Sequence, residues 1–339
     1  MSNDRMYHDL GWRRVSGAPR EMGLAIGQAG REAVHRHLIA HPLWAELTSA
    51  RHAARVARMA QATQARFPAI WAEIQGLALG LDLPEMAVFA WNCRGDLLAS
   101  VPDGCTTVMV PGKNPLLAHN EDGLPFFRGA CFIAEAAPQD GPGFHAFCYP
   151  GSIPGHTFAF TEAGLAQTVN NMRLTGVEAE IPRMVLGRAV LGTDTLDQAL
   201  AVLADAPSGG FHFALMHRRD PRIVSVEFGG GERSVREITS DTAHANHALH
   251  LPRGLAAQII TQSSGDRQLR GDALVAQRVA PLDILRDVAP TGLPIRRDTS
   301  DDPDEENTLG TAILALAEGR LNWSIHDRAD GEPAYCGTA

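Results

Sequence analysis

No stretch of this chain approaches the ~20 consecutive apolar residues that a membrane-spanning helix needs. Residues 1–15 carry charges without an apolar core, which argues against a secretory signal. Cysteine is scarce: Cys93, Cys105, Cys131, Cys148 and Cys336 are odd in number and form no C-x-x-C pair. That pattern reads as reduced thiols in a cytoplasm rather than a disulfide frame. Positive charge is short as well, with a formal net charge of −9, so general nucleic-acid binding is not expected. There is no internal repeat and no low-complexity tract. The glycine run Gly229-Gly230-Gly231 follows a strand-like segment but opens no helix, which speaks against a phosphate cradle. His244, His247 and His250, with His212 or His217, invite a zinc reading. Their loop has no H-E-x-x-H and no cysteine partner, so no metal is expected there.

What is present suits a globular domain. The chain has 339 residues, 45% hydrophobic and 20% charged, enough for one large or two ordinary domains. The first hundred residues read as mostly helical, at 19–39 and 44–66. In the second run Leu47, Ala50, Ala54, Val56, Met59 and Ala60 recur near helical spacing, with arginines opposite. Phe67-Pro68 stops that run. Pro68 opens another helix through Ile70, Trp71, Ile74 and Leu77, with Gly80 as its C-cap. A further helix starts at Leu83-Pro84-Glu85 and runs through Leu97.

The texture then changes to strand and turn. Strands are expected at 106–110, 116–119, 130–135, 145–149, 157–161 and 165–170, and again at 211–217, 223–228 and 235–238. Helices are expected at 182–191 and 195–205, where Thr195 and Gln198 form a capping-box pattern, and at about 266–278 and 281–288. Residues 241–252 read as a loop, and residues 296–307 as an acidic, solvated one. A last hairpin is expected at 308–317 and 321–325. Layer counting gives an α+β fold with helices before, between and after the strands.

The chemistry concentrates in Asp103-Gly104-Cys105-Thr106-Thr107, followed by Ala118-His119-Asn120-Glu121-Asp122-Gly123. A lone cysteine is most often a small buried apolar residue. The alternative is that the chain cuts its own Gly104–Cys105 bond and leaves Cys105 as a new N-terminus. Its thiolate would be the nucleophile, and its α-amine, titrating near ~8, would be the base. Gly104 would supply backbone freedom for a strained turn, and the hairpin that follows returns Asp122 towards Cys105.

The order of further motifs carries a resemblance. Glu73-Ile74-Gln75-Gly76-Leu77, Asn92-Cys93-Arg94, Gly104-Cys105-Thr106-Thr107, His119-Asn120-Glu121-Asp122, Tyr149-Pro150-Gly151, Gly164-Leu165-Ala166 with Asn170, and His244-Ala245-Asn246-His247 together resemble the isopenicillin N acyltransferase-like branch of the Ntn (N-terminal nucleophile) hydrolases. The chain is similar, through them, to bile salt hydrolases and acid ceramidase-type amidases. The resemblance implies a four-layer αββα Ntn-hydrolase fold with two stacked, mostly antiparallel sheets. It also implies cleavage into fragments 1–104 and 105–339, held as a non-covalent heterodimer within one domain, without a cofactor or metal.

Roles carry over to matching positions. Cys105 would be the nucleophile and Asp122 would hold its amine. Asn246 would donate a side-chain N–H to the oxyanion. Asn170 would be a second polar group near the acyl carbonyl, with Asn171 as its rival, because a one-residue slip changes the strand face. His119 stands where relatives resemble an arginine or a glutamine. Pocket walls are expected around Phe126, Phe127, Arg128 and Phe158. Arg267 and Arg270, after Ser263-Ser264, resemble a family Ser/Arg segment, but as charges on a helix face they are expected to meet solvent. The expected activity is hydrolysis of a linear non-peptide amide through a Cys105 thioester, on a small-molecule substrate, without membrane or nucleic acid. Acyl transfer to an amine is the alternative, and a non-catalytic binding relative is the third reading. Association of whole copies stays open.

Overall fold

The structure is a computed structural model that describes residues 10–204, 207–288, 291–299 and 302–339. The reading of residues 1–9, the far end of the helix expected to reach 205, and residues 300 and 301 of the acidic stretch lie outside them. Two sheets stack face to face. The first has eight strands, β1 (Gly11–Gly17), β4 (Phe132–Pro138), β5 (Phe144–Cys148), β6 (Ala159–Thr161), β7 (Leu165–Met172), β8 (Gly210–His217), β9 (Asp220–Gly229) and β10 (Glu232–Glu237), in that spatial order. The second runs β11 (Thr242–His244), β2 (Gly104–Val110), β3 (Leu116–Gly123), β12 (Asn307–Ala317), β13 (Arg320–His326) and β14 (Tyr335–Thr338). Among the described residues β1 with β4 is the parallel pair and the other named pairs are antiparallel.

β2 and β3 face β7 across the interface between the sheets. The helices are α1 (Pro19–Ala33), α2 (Pro42–Leu47), α3 (Ala53–Arg66), α4 (Pro68–Leu81), α5 (Glu85–Asn92), α6 (Arg94–Leu97), α7 (Arg183–Val190), α8 (Leu196–Val202), α9 (Pro252–Ala256), α10 (Gln262–Ala276) and α11 (Pro281–Leu285). α1 packs on β1 and β4, and α8 on β8, while α10 and α11 cover β2, β3 and β11. This is the four-layer αββα arrangement that the resemblance implies. A strand covered on both faces buries nearly every side chain, and that is the state of β2, β3 and β7. β10, at the sheet edge, exposes Glu232, Arg233, Arg236 and Glu237, charges that discourage another chain from pairing there. No described helix is long and apolar enough to cross a membrane.

Several elements depart from expectation. The run over 44–66 breaks into α2 and α3, and Cys93 separates α5 from α6. α1 continues as a π-helical turn over Val34–Leu38. β1, β11 and β14 are strands that local pattern did not mark: β1 and β11 gain their pairing only from distant segments, and β14 is a four-residue strand on the neighbouring β13. Gly80 is not a C-cap: α4 runs to Leu81 and ends on Asp82 in the left-handed conformation, φ 57°. Gly76 and Gly80 instead meet Gly23 and Gly27 of α1, where a methyl on any of the four would strike the facing backbone. Absent side chains let the two helix backbones touch. Thr195 does cap α8 through the Gln198 N–H at 3.2 Å, while the Gln198 side chain accepts from Asp194 N rather than from Thr195.

The stretch 296–307 is the largest correction. Arg296, Arg297, Glu306 and Asn307 are buried. Arg297 donates to Asp302 and, at 3.0 Å, to Glu306. The acidic composition here answers buried arginines, so counting acids as solvated surface misread it.

One carboxylate pins the loop expected at 241–252. Glu227 on β9 is fully buried. Its Oε1 accepts from Leu249 N at 2.7 Å and lies 2.9 Å from His244 Nε2, and its Oε2 accepts from His250 N at 2.8 Å and Leu251 N at 2.6 Å. Burial opposes its charge, but the His244 bond and charge and the backbone donors outweigh it and lower its pKa to about 2. A carboxyl depressed in the fold adds stability that is complete above its ordinary value near ~4.3 and is lost as pH falls through about 2.

Two outcomes follow. Glu227→Gln should lower unfolding free energy by roughly 2–3 kcal/mol at neutral pH and flatten the acid-side decline in urea titrations. Gly76→Ala should destabilise by about 1–3 kcal/mol in the same assay, although alanine is the better intrinsic helix former by roughly 1 kcal/mol.

Candidate active site

The β2–β3 register assembles the site. Cys105 lies opposite Glu121, Thr107 opposite His119, and Gly104 opposite Asp122. Because side chains alternate along a strand, Cys105, Thr107, His119 and Glu121 share the face turned towards β7. Thr106, Asn120 and Asp122 face α10 and α11. Cys105 is 3% exposed. Burial pushes its thiol pKa well up, and Glu121, Asp122 and Asp103 add to the rise. In the continuous chain the Cys105 N–H donates to Asn246 Oδ1 at 2.8 Å, and the Cys105 carbonyl accepts from Arg267 Nη1.

Gly104 is extended strand rather than a strained turn. Glycine is required for space: a methyl here would run into the Glu306 carboxylate and lie 3.2 Å from Asp122 Cβ. Beneath it sits a buried ionic cluster, with Glu306 3.1 Å from Arg173, 3.0 Å from Arg297 and 4.0 Å from Arg267. Asp122 Oδ1 accepts from Thr308 Oγ1 at 2.6 Å, while its buried Oδ2 has no hydrogen-bond partner among the described residues. Burial raises the Asp122 pKa, against the pull of Arg267, the Thr308 hydroxyl and Arg297. Upstream, Asp103 pairs with Arg94 at 3.0 Å, and its carbonyl accepts from Asn171 Nδ2 at 3.2 Å and Arg173 Nη2 at 3.3 Å. The chain entering the Gly104–Cys105 bond is thus clamped on both sides.

The asparagines divide the work. Asn246 is held from behind by α10: Ser264 Oγ accepts its N–H at 2.9 Å, and Gln268 accepts from Ala245 N at 2.8 Å. Its Oδ1 also receives Arg267 Nη2 at 2.6 Å, and its Nδ2 donates to the Asn171 carbonyl at 3.1 Å. Asn170 points into the layer between the sheets, where its Oδ1 accepts from Thr107 Oγ1 at 2.7 Å. Asn171, on the other strand face, reaches Asp103.

Cys105, Asp122 and Asn246 are therefore brought together, with Asn170 one step removed through Thr107. His119 is fully buried beside Phe158, their ring centroids 6.0 Å apart. Phe127 is core and reaches the site through Tyr149, at 5.6 Å between centroids, whereas Phe126 packs on His37 and His41. Arg128 is half-exposed, donates to Asp298 at 2.6 Å and lines a cavity of about 590 Å³ together with Leu10, Arg296 and Leu309.

Two residues at the site were given no role in it from the sequence. Glu121 Oε2 lies 3.6 Å from Cys105 Sγ, and strand alternation opposite Cys105 was the signal that could have found it. Arg267 is fully buried rather than solvent-facing, because α10 starts a turn earlier than expected, at Gln262, and turns Ser263, Ser264 and Arg267 inward. Arg270, on the outer face, pairs with Asp287 at 2.6 Å. Cys105, His119 and Glu121 have ligand-type atoms within 4.8 Å of one another, a set that could hold a metal ion. Of the histidines of the 241–252 loop, His244 turns to Glu227, His247 to Ser264, and His250 to Ser225 with Glu227 at 3.7 Å.

A family model described as acyl-coenzyme A:6-aminopenicillanic acid acyl-transferase matches residues 109–330. The beta-alanyl-dopamine/carcinine hydrolase of Drosophila melanogaster is 29% identical over 164 residues, covering 42% of this chain and 42% of that protein. The match thus spans less than half of the relative's length. A variant of conjugated bile acid hydrolase from Clostridium perfringens aligns over 69% of this chain and 96% of its own, with 13% identity and a TM-score of 0.39. The family match takes in most of the chain, including Asp122, Asn170, Asn246 and Arg267 around the cysteine, and the chain belongs to the acyl-coenzyme A:6-aminopenicillanic acid acyl-transferase family.

Proposed function

We propose that the chain is a self-processing amidohydrolase that cleaves a linear non-peptide amide, an N-acyl or aminoacyl amine, through a thioester on Cys105. The carrying observation is the pair of groups set around one nitrogen. Asn246 Oδ1 already holds the Cys105 N–H at 2.8 Å, and Asp122, across from Gly104, has a buried carboxylate oxygen without a partner among the described residues. A released ammonium would satisfy that oxygen. Cleavage would leave fragments 1–104 and 105–339, interleaved because β1 of the first pairs with β4 of the second, and so held without a covalent link.

In the catalytic cycle the Cys105 amine takes the thiol proton as sulfur attacks the amide carbon. The amine leaves with that proton, and water then releases the acid from the thioester. Negative charge on the carbonyl oxygen calls for preorganised donors, each worth roughly 3–4 kcal/mol. Asn246, whose Oδ1 already holds the Cys105 N–H, would offer its Nδ2 by giving up the Asn171 carbonyl. Asn171 Nδ2, now on the Asp103 carbonyl, is better placed than Asn170 to be the second donor. The similarity to a beta-alanyl-dopamine/carcinine hydrolase supports aminoacyl amines as the substrate class. Family membership favours a second reading, in which an acceptor amine replaces water at the thioester.

Denaturing mass spectrometry tests the first step. Wild-type chain should give two fragments separating at Gly104/Cys105, and Cys105→Ala a single chain. An intact, active wild-type chain would overturn the reading. For the processed enzyme, kcat/KM on β-alanyl amines should rise with pH up to the pKa of the α-amine, ordinarily near ~8. Asp122 stabilises the charged amine and so raises that pKa, hence Asp122→Asn should move the inflection downwards and lower kcat/KM by roughly a hundredfold or more. An unmoved inflection would remove Asp122 from the amine.

A further inference from the structure

The amine can act as base only after it exists. In the continuous chain the Cys105 nitrogen is a peptide N–H that donates to Asn246, with no lone pair to accept a proton. The first reaction of the sulfur therefore needs another acceptor, and the hydrogen bonds between the sheets identify it.

The His244 carbonyl only accepts, so the Asn170 amide group 3.1 Å away must turn its NH₂ there and its Oδ1 towards Thr107 and His212. The Thr107 hydroxyl hydrogen then goes to Asn170 Oδ1 at 2.7 Å. Thr107 Oγ1, 2.9 Å from His119 Nδ1, is left to accept, which places the ring hydrogen on Nδ1. Burial lowers the His119 pKa to about 3, so the ring is neutral and Nε2 keeps its lone pair. That lone pair lies 3.0 Å from Glu121 Oε2, and only a protonated carboxyl can supply the hydrogen between them. Burial raises the Glu121 pKa well up, and Asp103 and Asp122 add to it, against the Tyr149 and Cys105 hydrogen bonds. Its other oxygen accepts the Tyr149 hydroxyl at 2.6 Å. Glu121 Oε2 thus faces the Cys105 thiol on one side and donates to His119 on the other.

We propose that Glu121 and His119 are the proton relay that activates Cys105 for cutting its own Gly104–Cys105 bond. This rests on the self-processing reading above. The thiol proton passes to Glu121 Oε2 as the carboxyl's own proton passes to His119 Nε2, leaving a thiolate, a neutral acid and an imidazolium. Sulfur bonds to the Gly104 carbonyl carbon and the carbon–nitrogen bond breaks. The proton returns through Glu121 to the departing nitrogen, which becomes the Cys105 amine. Water then hydrolyses the thioester, giving the Gly104 carboxyl and restoring the thiol. The relay ends at His119: Asn170 Oδ1 accepts from both Thr107 and His212, and an oxygen that only accepts passes no proton onward. Asp122, on the other strand face, is tied to Thr308. Of the remaining groups around Glu121, Asp103 pairs with Arg94, the Tyr149 hydroxyl donates to Glu121 itself, and Cys131 is a buried thiol with a raised pKa.

The test follows fragment formation in freshly purified full-length chain. Glu121→Gln keeps the shape and can still donate to His119 and accept from Tyr149, but it cannot pass a proton. Its cutting should slow by about a hundredfold or more at neutral pH. Its rate should also climb about tenfold per pH unit as hydroxide replaces the relay, a dependence that the wild type lacks. Hydroxylamine, which opens thioesters, should leave this variant whole, because the block precedes the thioester. His119→Asn should behave alike and decides the matter if Glu121→Gln fails to fold. Cutting of either folded variant at the wild-type rate, or rapid opening of Glu121→Gln by hydroxylamine, would overturn the relay while self-processing stands. A wild-type chain that never cuts would instead sink the reading on which the relay rests.

Discussion

Pairing of β2 with β3 is the constraint on which the site depends. It sets Glu121 opposite Cys105 and Asp122 opposite Gly104, so two consecutive carboxylates emerge on opposite faces of one sheet. A slip of one residue would exchange them, pointing Glu121 at α10 and Asp122 into the layer between the sheets. The register is secured by burial on both faces and by the cross-strand bond of Thr107 to His119 at 2.9 Å, while Thr311 of β12 holds the far edge of β3 through Asn120 at 2.6 Å.

The ionic cluster under Gly104 has the same origin. Arg173, Arg267 and Arg297 come from three separate parts of the chain and converge on Glu306. Buried ions are weak evidence for stability, because desolvation offsets most of their attraction. Their presence here is better explained by position: Arg267 grips both the Cys105 carbonyl and Asn246 Oδ1, which fixes the cysteine backbone against the asparagine that would receive its amine. Glycine at 104 follows, since a side chain would displace the Glu306 end of that cluster.

Much of this was legible in the sequence, and the failures share a cause. Strands with continuous apolar or β-branched runs, such as β2, β8 and β9, a helix with strong periodicity, α3, and one with a proline start and an apolar run, α4, announce themselves locally. Cys105, Asp122 and Asn246 were reachable through motif order. Glu121 was not, because nothing local distinguishes a buried acid from an exposed one; only its partner across the sheet does. Arg267 and the 296–307 segment failed for the same reason in reverse, their charges reading as solvent-facing until the opposite charges from distant segments were in place. Gly104 was assigned the wrong virtue, conformational freedom where the fold needed empty space.

The contrast between Glu121 and Asp122 carries the last step. Both are fully buried, and burial alone raises both pKa values. Arg267, Arg297 and the Thr308 hydroxyl surround Asp122, whereas Glu121 has the Tyr149 and Cys105 hydrogen bonds and two neighbouring carboxylates. The same chemical group is thereby pushed less far from the anion on one face and well towards the neutral acid on the other, the kind of separation that assigns distinct acid–base roles to a pair of carboxyls. An anion suits the holding of an ammonium and a neutral acid suits the passing of a proton. The order of the proposed events fits that division, since the relay serves a sulfur whose own nitrogen is still an amide and Asp122 becomes useful only once that nitrogen is free.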